Sequence, residues 1–277
     1  MPSGNNAWWR DAVIYQVYPR SFSDSDGDGL GDIPGITHRV DYLHNLGVDA
    51  IWVSPFYQSP LKDGGYDVAD YRMVDTRLGT VEDIKKLITA AHHVNIKVFM
   101  DIVPNHTSDQ HAWFQEVLHS EPGSAAWDRY VIKEGKGNNH ELPPTNWISV
   151  FHGAAWSPLV LANGERTKYW YLHIFDSSQP DLKWENPEVR AEFLSILKFW
   201  FDLGIDGFRI DVAHGMIKDQ TFPDIDYETV KAQELLGAPP LQSPFWDQDR
   251  VHEIYREWRK LADSYNPPKV YCGETWA

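Results

Sequence analysis

Ile205-Asp206-Gly207-Phe208-Arg209-Ile210-Asp211 is a short apolar run that ends on a carboxylate. It follows a helix-length segment, Pro187 to Leu203, and reads as a buried strand with chemistry at its C-terminal end. The same rhythm recurs along the chain. Ala12 to Tyr18 reads as strand one, Ile33 to Leu46 as a helix stopped by Gly47, and Val48 to Ser54 as strand two. Val81 to Val94 is the next helix and Ile96 to Val103 strand three. The run at 205–211 is then strand four, Asp249 to Ser264 a further helix, and Lys269 to Gly273 strand five. Strands separated by helices predict an α/β fold with a parallel sheet. Five in order, with chemistry at their C-terminal ends, favour a (β/α)8 barrel over an open doubly wound sheet.

Two stretches interrupt the rhythm. Residues 105–181 and 212–248, the second containing Pro239-Pro240, carry Pro, Gly, Asn and scattered aromatics without helical or strand period. A long irregular stretch inside a domain is usually a functional insertion. The expected organisation is a first part of the barrel at 1–104, a subdomain inserted at 105–181 between strand three and its helix, and the barrel continued at 182–277. A complete barrel takes about 250 residues without large insertions. This sequence reaches only its fifth strand by Gly273, so the barrel is expected to be truncated there, with open edges for a complementing chain.

Bulk properties narrow the partners. The 277 residues, 42% hydrophobic and 14% aromatic, suffice for a sizeable core. Twenty-five Lys and Arg face 40 Asp and Glu, and the net charge of -15 repels nucleic acid and anionic membrane alike. A single cysteine, Cys272, allows no internal disulfide. Met1 to Asn6 lacks the features of a signal peptide and no apolar run approaches a membrane span, so the reading is cytoplasmic. Of the 13 Trp and 13 Tyr, core packing accounts for at least half, and the rest suggest flat apolar platforms that suit sugar rings.

Ser23 to Asp32 places Asp24, Asp26, Asp28 and Asp32 among glycines. Like charges this close repel unless a cation sits among them, and oxygen ligands select a hard ion, Ca2+ or Mg2+. Gly35 stands where an EF-hand would need Glu, so that module is excluded. The expected ligands of a structural ion are these four carboxylates and the Leu30 carbonyl. The plainer reading is a solvated acidic turn.

Arg209 and Asp211, two apart on a strand, share one face. A guanidinium there should lower the carboxyl pKa and keep Asp211 ionised, as suits a nucleophile. Glu274, one strand over, has no cation adjacent in sequence, so a less solvated carboxyl there is expected to hold its proton and serve as an acid. Two such carboxyl groups are what a retaining glycosidase requires. A structural ion pair beside an ordinary Glu is the rival reading of the same residues.

Beyond these groups, Trp9 to Phe22, Gly65-Tyr66-Asp67-Val68-Ala69-Asp70-Tyr71, Asp101 to His106, Gln179 to Asn186, Gly207 to Asp211 and Gly273-Glu274 occur in this order. Together they resemble the α-amylase superfamily of glycoside hydrolases, in its α-glucosidase and oligo-1,6-glucosidase branch. The resemblance implies that Asp211 forms a covalent glucosyl intermediate, Glu274 is the acid/base and Arg209 orients Asp211. It implies Tyr66 as a stacking platform, Asp67 and His106 around the non-reducing glucose, Asp101 and Asn105 bracing that wall, and Phe151 at the rim. Residues 105–181 would be the family's subdomain B. The implied function is hydrolysis of α-1,4 or α-1,6 glucosidic bonds at the non-reducing ends of oligosaccharides. Alternatives on the same scaffold are a transglycosylase or isomerase of the trehalose-synthase type, or a non-catalytic transporter-ancillary relative. Two features depart from the family pattern. His152 stands where glycine is common, and the third catalytic carboxylate, in an Asn-His-Asp motif, is absent; Asn139-His140-Glu141 lies in the wrong segment.

Overall fold

A computed structural model describes residues 7–236 and 242–276, so the N-terminal hexapeptide and Pro239-Pro240 lie outside it. In chain order the first elements are β1 (Ile14–Val17), α1 (Pro19–Phe22), α2 (Ile33–His38), α3 (Val40–Leu46) and β2 (Ala50–Val53). The pair β3 (Tyr57–Gln58) and β4 (Asp70–Val74) follows, then α4 (Val81–His93) and β5 (Lys97–Ile102). The inserted stretch contributes α5 (Ala112–Leu118), β6 (Ile132–Glu134), β7 (Trp156–Val160) and β8 (Arg166–Leu172). The chain then runs through α6 (Pro187–Leu203), β9 (Gly207–Ile210), α7 (Tyr227–Leu236), α8 (Val251–Asp263) and β10 (Val270–Gly273).

The main sheet has the order β1-β2-β5-β9-β10, with every pair parallel. Each strand pairs with its successor among these five and the direction never reverses. A doubly wound sheet would double back at a switch point, whereas a barrel advances steadily. Helices cover the outer face. Thr80 and Asp83 form a reciprocal capping box that starts α4. Asn186 caps α6 with Pro187 in its first turn, and Gly204, at φ 113, ends it. Trp200 and Trp184 on and before α6 are fully buried, and their indole N–H groups donate to the carbonyls of Tyr71 and Pro104.

Three expectations need correction. The segment read as one helix from Ile33 to Leu46 breaks at Arg39, whose N–H bonds back to Ile36 and Thr37 rather than continuing an α-helical ladder. The stretch 105–181 is not patternless: β7, β8 and β6 form an antiparallel sheet, with α5 before it. β6 has only three residues and Pro158 sits inside β7, which masks the period-two signal. An antiparallel bridge between His106 and Asp181 brings the two ends of the stretch together. Within 212–248, α7 went unread because its apolar residues gather on no one face; Leu235 and Leu236 are largely exposed. Among the described residues no helix is long and apolar enough to cross a membrane.

Candidate active site

Strand register assembles the centre. Phe99 pairs with Gly207, so Asp101 lies level with Arg209; Gly273 pairs with Ile210, so Glu274 emerges beside Asp211. Arg209 joins all three carboxylates. Its Nη1 donates to Asp101 Oδ1 at 2.8 Å and to Asp211 Oδ1 at 2.5 Å, and its Nη2 lies 2.5 Å from Glu274 Oε1. The guanidinium also stands over the Trp52 ring, 4.8 Å from its centroid. Behind it, Asp101 is wholly buried, and its Oδ2 accepts from Trp52 Nε1 at 2.9 Å and Tyr66 Oη at 3.2 Å.

The electrostatics reverse the expectation drawn from spacing. Arg209 does pull on Asp211, but burial first and the Asp101 charge second outweigh it and raise the Asp211 carboxyl well above the ordinary range. Burial likewise pushes Asp101 up to about 6, with Arg209 pulling the other way. Glu274 is not the isolated, desolvated carboxyl that was expected. Its side chain is 33% exposed and shares the guanidinium. One cation among three carboxylates cannot satisfy them all, and the most deeply buried ones bear the cost.

The residue after Asp211 has an unusual backbone. Val212, β-branched and buried, has φ 46. This left-handed conformation is an outlier for such a side chain. The Val212 N–H donates to Glu274 Oε2, 3.1 Å away.

A cavity of about 190 Å3 opens over these groups, lined by Asp63, Tyr66, His106, Phe151, Phe175, Arg209, Asp211, Val212, Glu274 and Trp276. Tyr66 and the buried His106 form one wall, and burial keeps the imidazole pKa low. Asn105 stands behind His106, with Nδ2 3.2 Å from His106 Nδ1. Phe151 is about half exposed at the rim, edge-on to Phe175. His152 beside it takes φ 71, the conformation that a glycine at this position would adopt without strain.

Asp67 is the residue misplaced by sequence reasoning. It has no exposed surface, and its oxygens accept from Ser59 Oγ and from the backbone N–H groups of Lys62 and Asp63. It builds the loop and faces no sugar. Asp63 lines the cavity instead, accepting from Gln179 Nε2 at 2.8 Å. The available signal was its position just before Gly64-Gly65, where the backbone turns with φ 57 and 109 and presents the preceding side chain.

In the acidic loop, Asp24, Asp26 and Asp28 bring oxygens within 4.8 Å of one another and are exposed. Asp24 accepts from the N–H groups of Asp26, Gly27 and Gly29, and its carboxyl pKa is lowered chiefly by the Gly27 and Gly29 bonds. Leu30 donates its N–H to Asp28. Asp32 stands outside the cluster: it caps α2 through Gly35 N–H and accepts from Ser25. The donor set, all oxygen and mostly carboxylate, fits a hard cation.

The profile described as alpha amylase, catalytic domain, matches residues 16–277. The chain belongs to the α-amylase catalytic-domain family. It is 48% identical to the oligo-1,6-glucosidase of Heyndrickxia coagulans over 261 residues, covering 94% of this chain and 44% of that protein. Among solved structures it is similar to the trehalose-6-phosphate hydrolase of Bacillus licheniformis, with a TM-score of 0.85 and 41% identity over 98% of this chain and 45% of that one. A trehalulose synthase matches with a TM-score of 0.82 and 38% identity over 97% of this chain and 45% of that one. The chain thus spans less than half the length of these relatives.

Proposed function

We propose that this chain carries the nucleophile and the general acid/base of a retaining α-glucosidase. The observation that carries the reading is the pairing of Asp211 and Glu274 on adjacent strand ends, joined by one guanidinium, under a cavity walled by Asp63, Tyr66 and His106. Depth assigns the roles. Asp211 lies at the floor, where a sugar ring held by the wall would present its anomeric carbon. Glu274, a third exposed, lies towards the opening through which a leaving group departs and water arrives.

In the first step an Asp211 oxygen forms a bond to C1 while the C1–O bond to the leaving group breaks and Glu274 gives that oxygen its proton. In the second, Glu274 takes a proton from water, whose oxygen displaces Asp211 from C1. Arg209 holds both carboxyl groups in place throughout, and the proton that burial favours on Asp211 must pass to Glu274 before the first step. A sugar hydroxyl in place of water would give transglycosylation, and the likeness to a trehalulose synthase favours that as the second reading. A non-catalytic ancillary role leaves the two carboxylates unexplained.

The open edges at β1 and β10 are where three further strands would close the barrel and bring a third carboxylate to the cavity. Ca2+ or Mg2+ would be held by Asp24, Asp26 and Asp28 with the Leu30 carbonyl, stiffening the loop after α1 away from the chemistry.

The test is to incubate the full-length protein with maltose, isomaltose and sucrose and follow the products by NMR. Release of α-glucose before mutarotation supports retention. β-Glucose as the first product refutes it, and isomerised disaccharide without free glucose selects the second reading.

A further inference from the structure

Lys218 is 1% exposed and makes contacts that the two catalytic steps above do not use. Its ammonium lies 2.7 Å from Asp181 Oδ2, donates to Asn105 Oδ1 at 2.7 Å and donates to the Gly215 carbonyl at 2.6 Å. Three protons meet three acceptors. The acceptors come from three places: the exit of β5, the end of the inserted stretch, and the turn that follows Asp211. We propose that Lys218 is a positioning residue that locks the sugar-facing wall to the loop behind the nucleophile. This inference rests on the functional reading above.

Stability alone is a poor reason for this arrangement. A buried ion pair is often matched or bettered by apolar side chains of similar volume, so its use points to geometry. An ammonium only donates, so Asn105 must turn Oδ1 towards it. That leaves Asn105 Nδ2 facing Asp181 Oδ2 at 3.1 Å and the His106 ring at 3.2 Å. On the other side of the ring, Gln179 Nε2 stands 3.1 Å from His106 Nε2. The imidazole therefore lies between two amide NH2 groups, one of them oriented by Lys218, and its single acceptor nitrogen takes a hydrogen bond from one of them.

The other end of the lock is the turn 212–215. Gly215 N–H donates to the Val212 carbonyl at 2.9 Å, and Lys218 takes the Gly215 carbonyl. A Cβ on Gly215 would lie 2.6 Å from the Trp246 ring and 2.7 Å from Val212 Cγ1, so the turn has no room to relax. A β-branched residue remains in the left-handed region only when its surroundings over-determine it. Lys218 supplies part of that constraint, on the turn whose first N–H donates to Glu274 Oε2.

Two variants of the full-length protein test this. Lys218→Met leaves Asp181 charged and unpaired, and should lower Tm by on the order of 10 °C. Lys218→Met with Asp181→Asn removes both charges yet keeps an acceptor for the Ile174 N–H, and should regain most of that Tm. In the double variant kcat/KM should stay down on the order of 100-fold, with KM raised and kcat lowered together. Its crystal structure should show Asn105, His106 and Val212 displaced. A double variant with native Tm and activity within about threefold of wild type, or with those residues unmoved, overturns the proposal. Should the wild type turn over no α-glucoside, the functional reading falls, and the crystal structure by itself decides whether Lys218 positions these groups.

Discussion

Replacing Asp101 with Asn isolates the cost of burying charge beneath Asp211. In the folded protein the Asp101 carboxyl is pushed up to about 6 from an ordinary 3.8 because it is sealed from water. Between those values the folded chain keeps a proton that the unfolded chain has released, so raising the pH favours unfolding. Each factor of ten in proton affinity is about 1.4 kcal/mol, and the whole interval amounts to about 3 kcal/mol. Between pH 4.5 and 7.5 about 2 kcal/mol of it is realised, since at pH 4.5 the folded group is mostly protonated and the unfolded one mostly not. Asp101→Asn cannot titrate. It also removes the charge that, after burial, does most to raise Asp211. Urea unfolding of the full-length wild type and variant at the two pH values should show the variant gaining about 2 kcal/mol on the wild type as pH rises. Its turnover should fall at the same time, because Arg209 loses one of the anions that fix its orientation. Parallel stability curves, or a wild type that gains on the variant with rising pH, would refute the reasoning.

Asp63→Ala should raise KM for an α-glucoside at least about tenfold with little change in Tm, whereas Asp67→Ala should cost about 2 kcal/mol of stability by stranding one buried and two part-buried donors. The reverse pattern, read from kinetics and thermal melts, would restore Asp67 to the sugar site. Asp206 is held below the ordinary carboxylate range, despite burial, by His92, the Val98 N–H and Lys97. Its stabilisation is therefore complete above about pH 4 and lost as pH falls through its folded value, so Asp206→Asn should flatten the acid limb of the unfolding curve. Chelation with EGTA should lower the Tm of the full-length protein, and Asp26→Ala should abolish that response; a chelator effect that survives the substitution places the ion elsewhere.

Much of the frame was readable because its local signals agree. The Thr80 and Asp83 capping box, Pro187 at the start of α6 and the αL Gly204 at its end mark helices by short-range chemistry, so their limits fall where the sequence put them. The candidate carboxylates were readable because they terminate those strands. What escaped depends on contacts distant in sequence. Glu274 gains its cation across a strand pair, from Arg209. Burial is a property of the whole fold, so Arg209 looked decisive for Asp211 when it is outweighed. Asp63 and Asp67 flank the same Gly-Gly-Tyr, and only the turn between them shows which one reaches the cavity. In the insertion β6 has only three residues and β7 is interrupted by Pro158, and β8 opens on polar residues and closes on the unbroken run Tyr169-Trp170-Tyr171-Leu172, so none shows a clean period.

The level pairing of Asp101 with Arg209, and of Gly273 with Ile210, has a consequence for how such a centre diversifies. Asp101, Arg209, Asp211 and Glu274 hang from neighbouring positions along one hydrogen-bond ladder. A ladder shifts only by whole residues, about 3.3 Å at a time, and a single step turns every side chain to the opposite face. No gradual path therefore leads from one spacing of the reacting groups to another. Variation must enter through the connections, where Asp63, Phe151 and His152 stand, and those loops can reshape the cavity while the distance between the two carboxylates stays fixed.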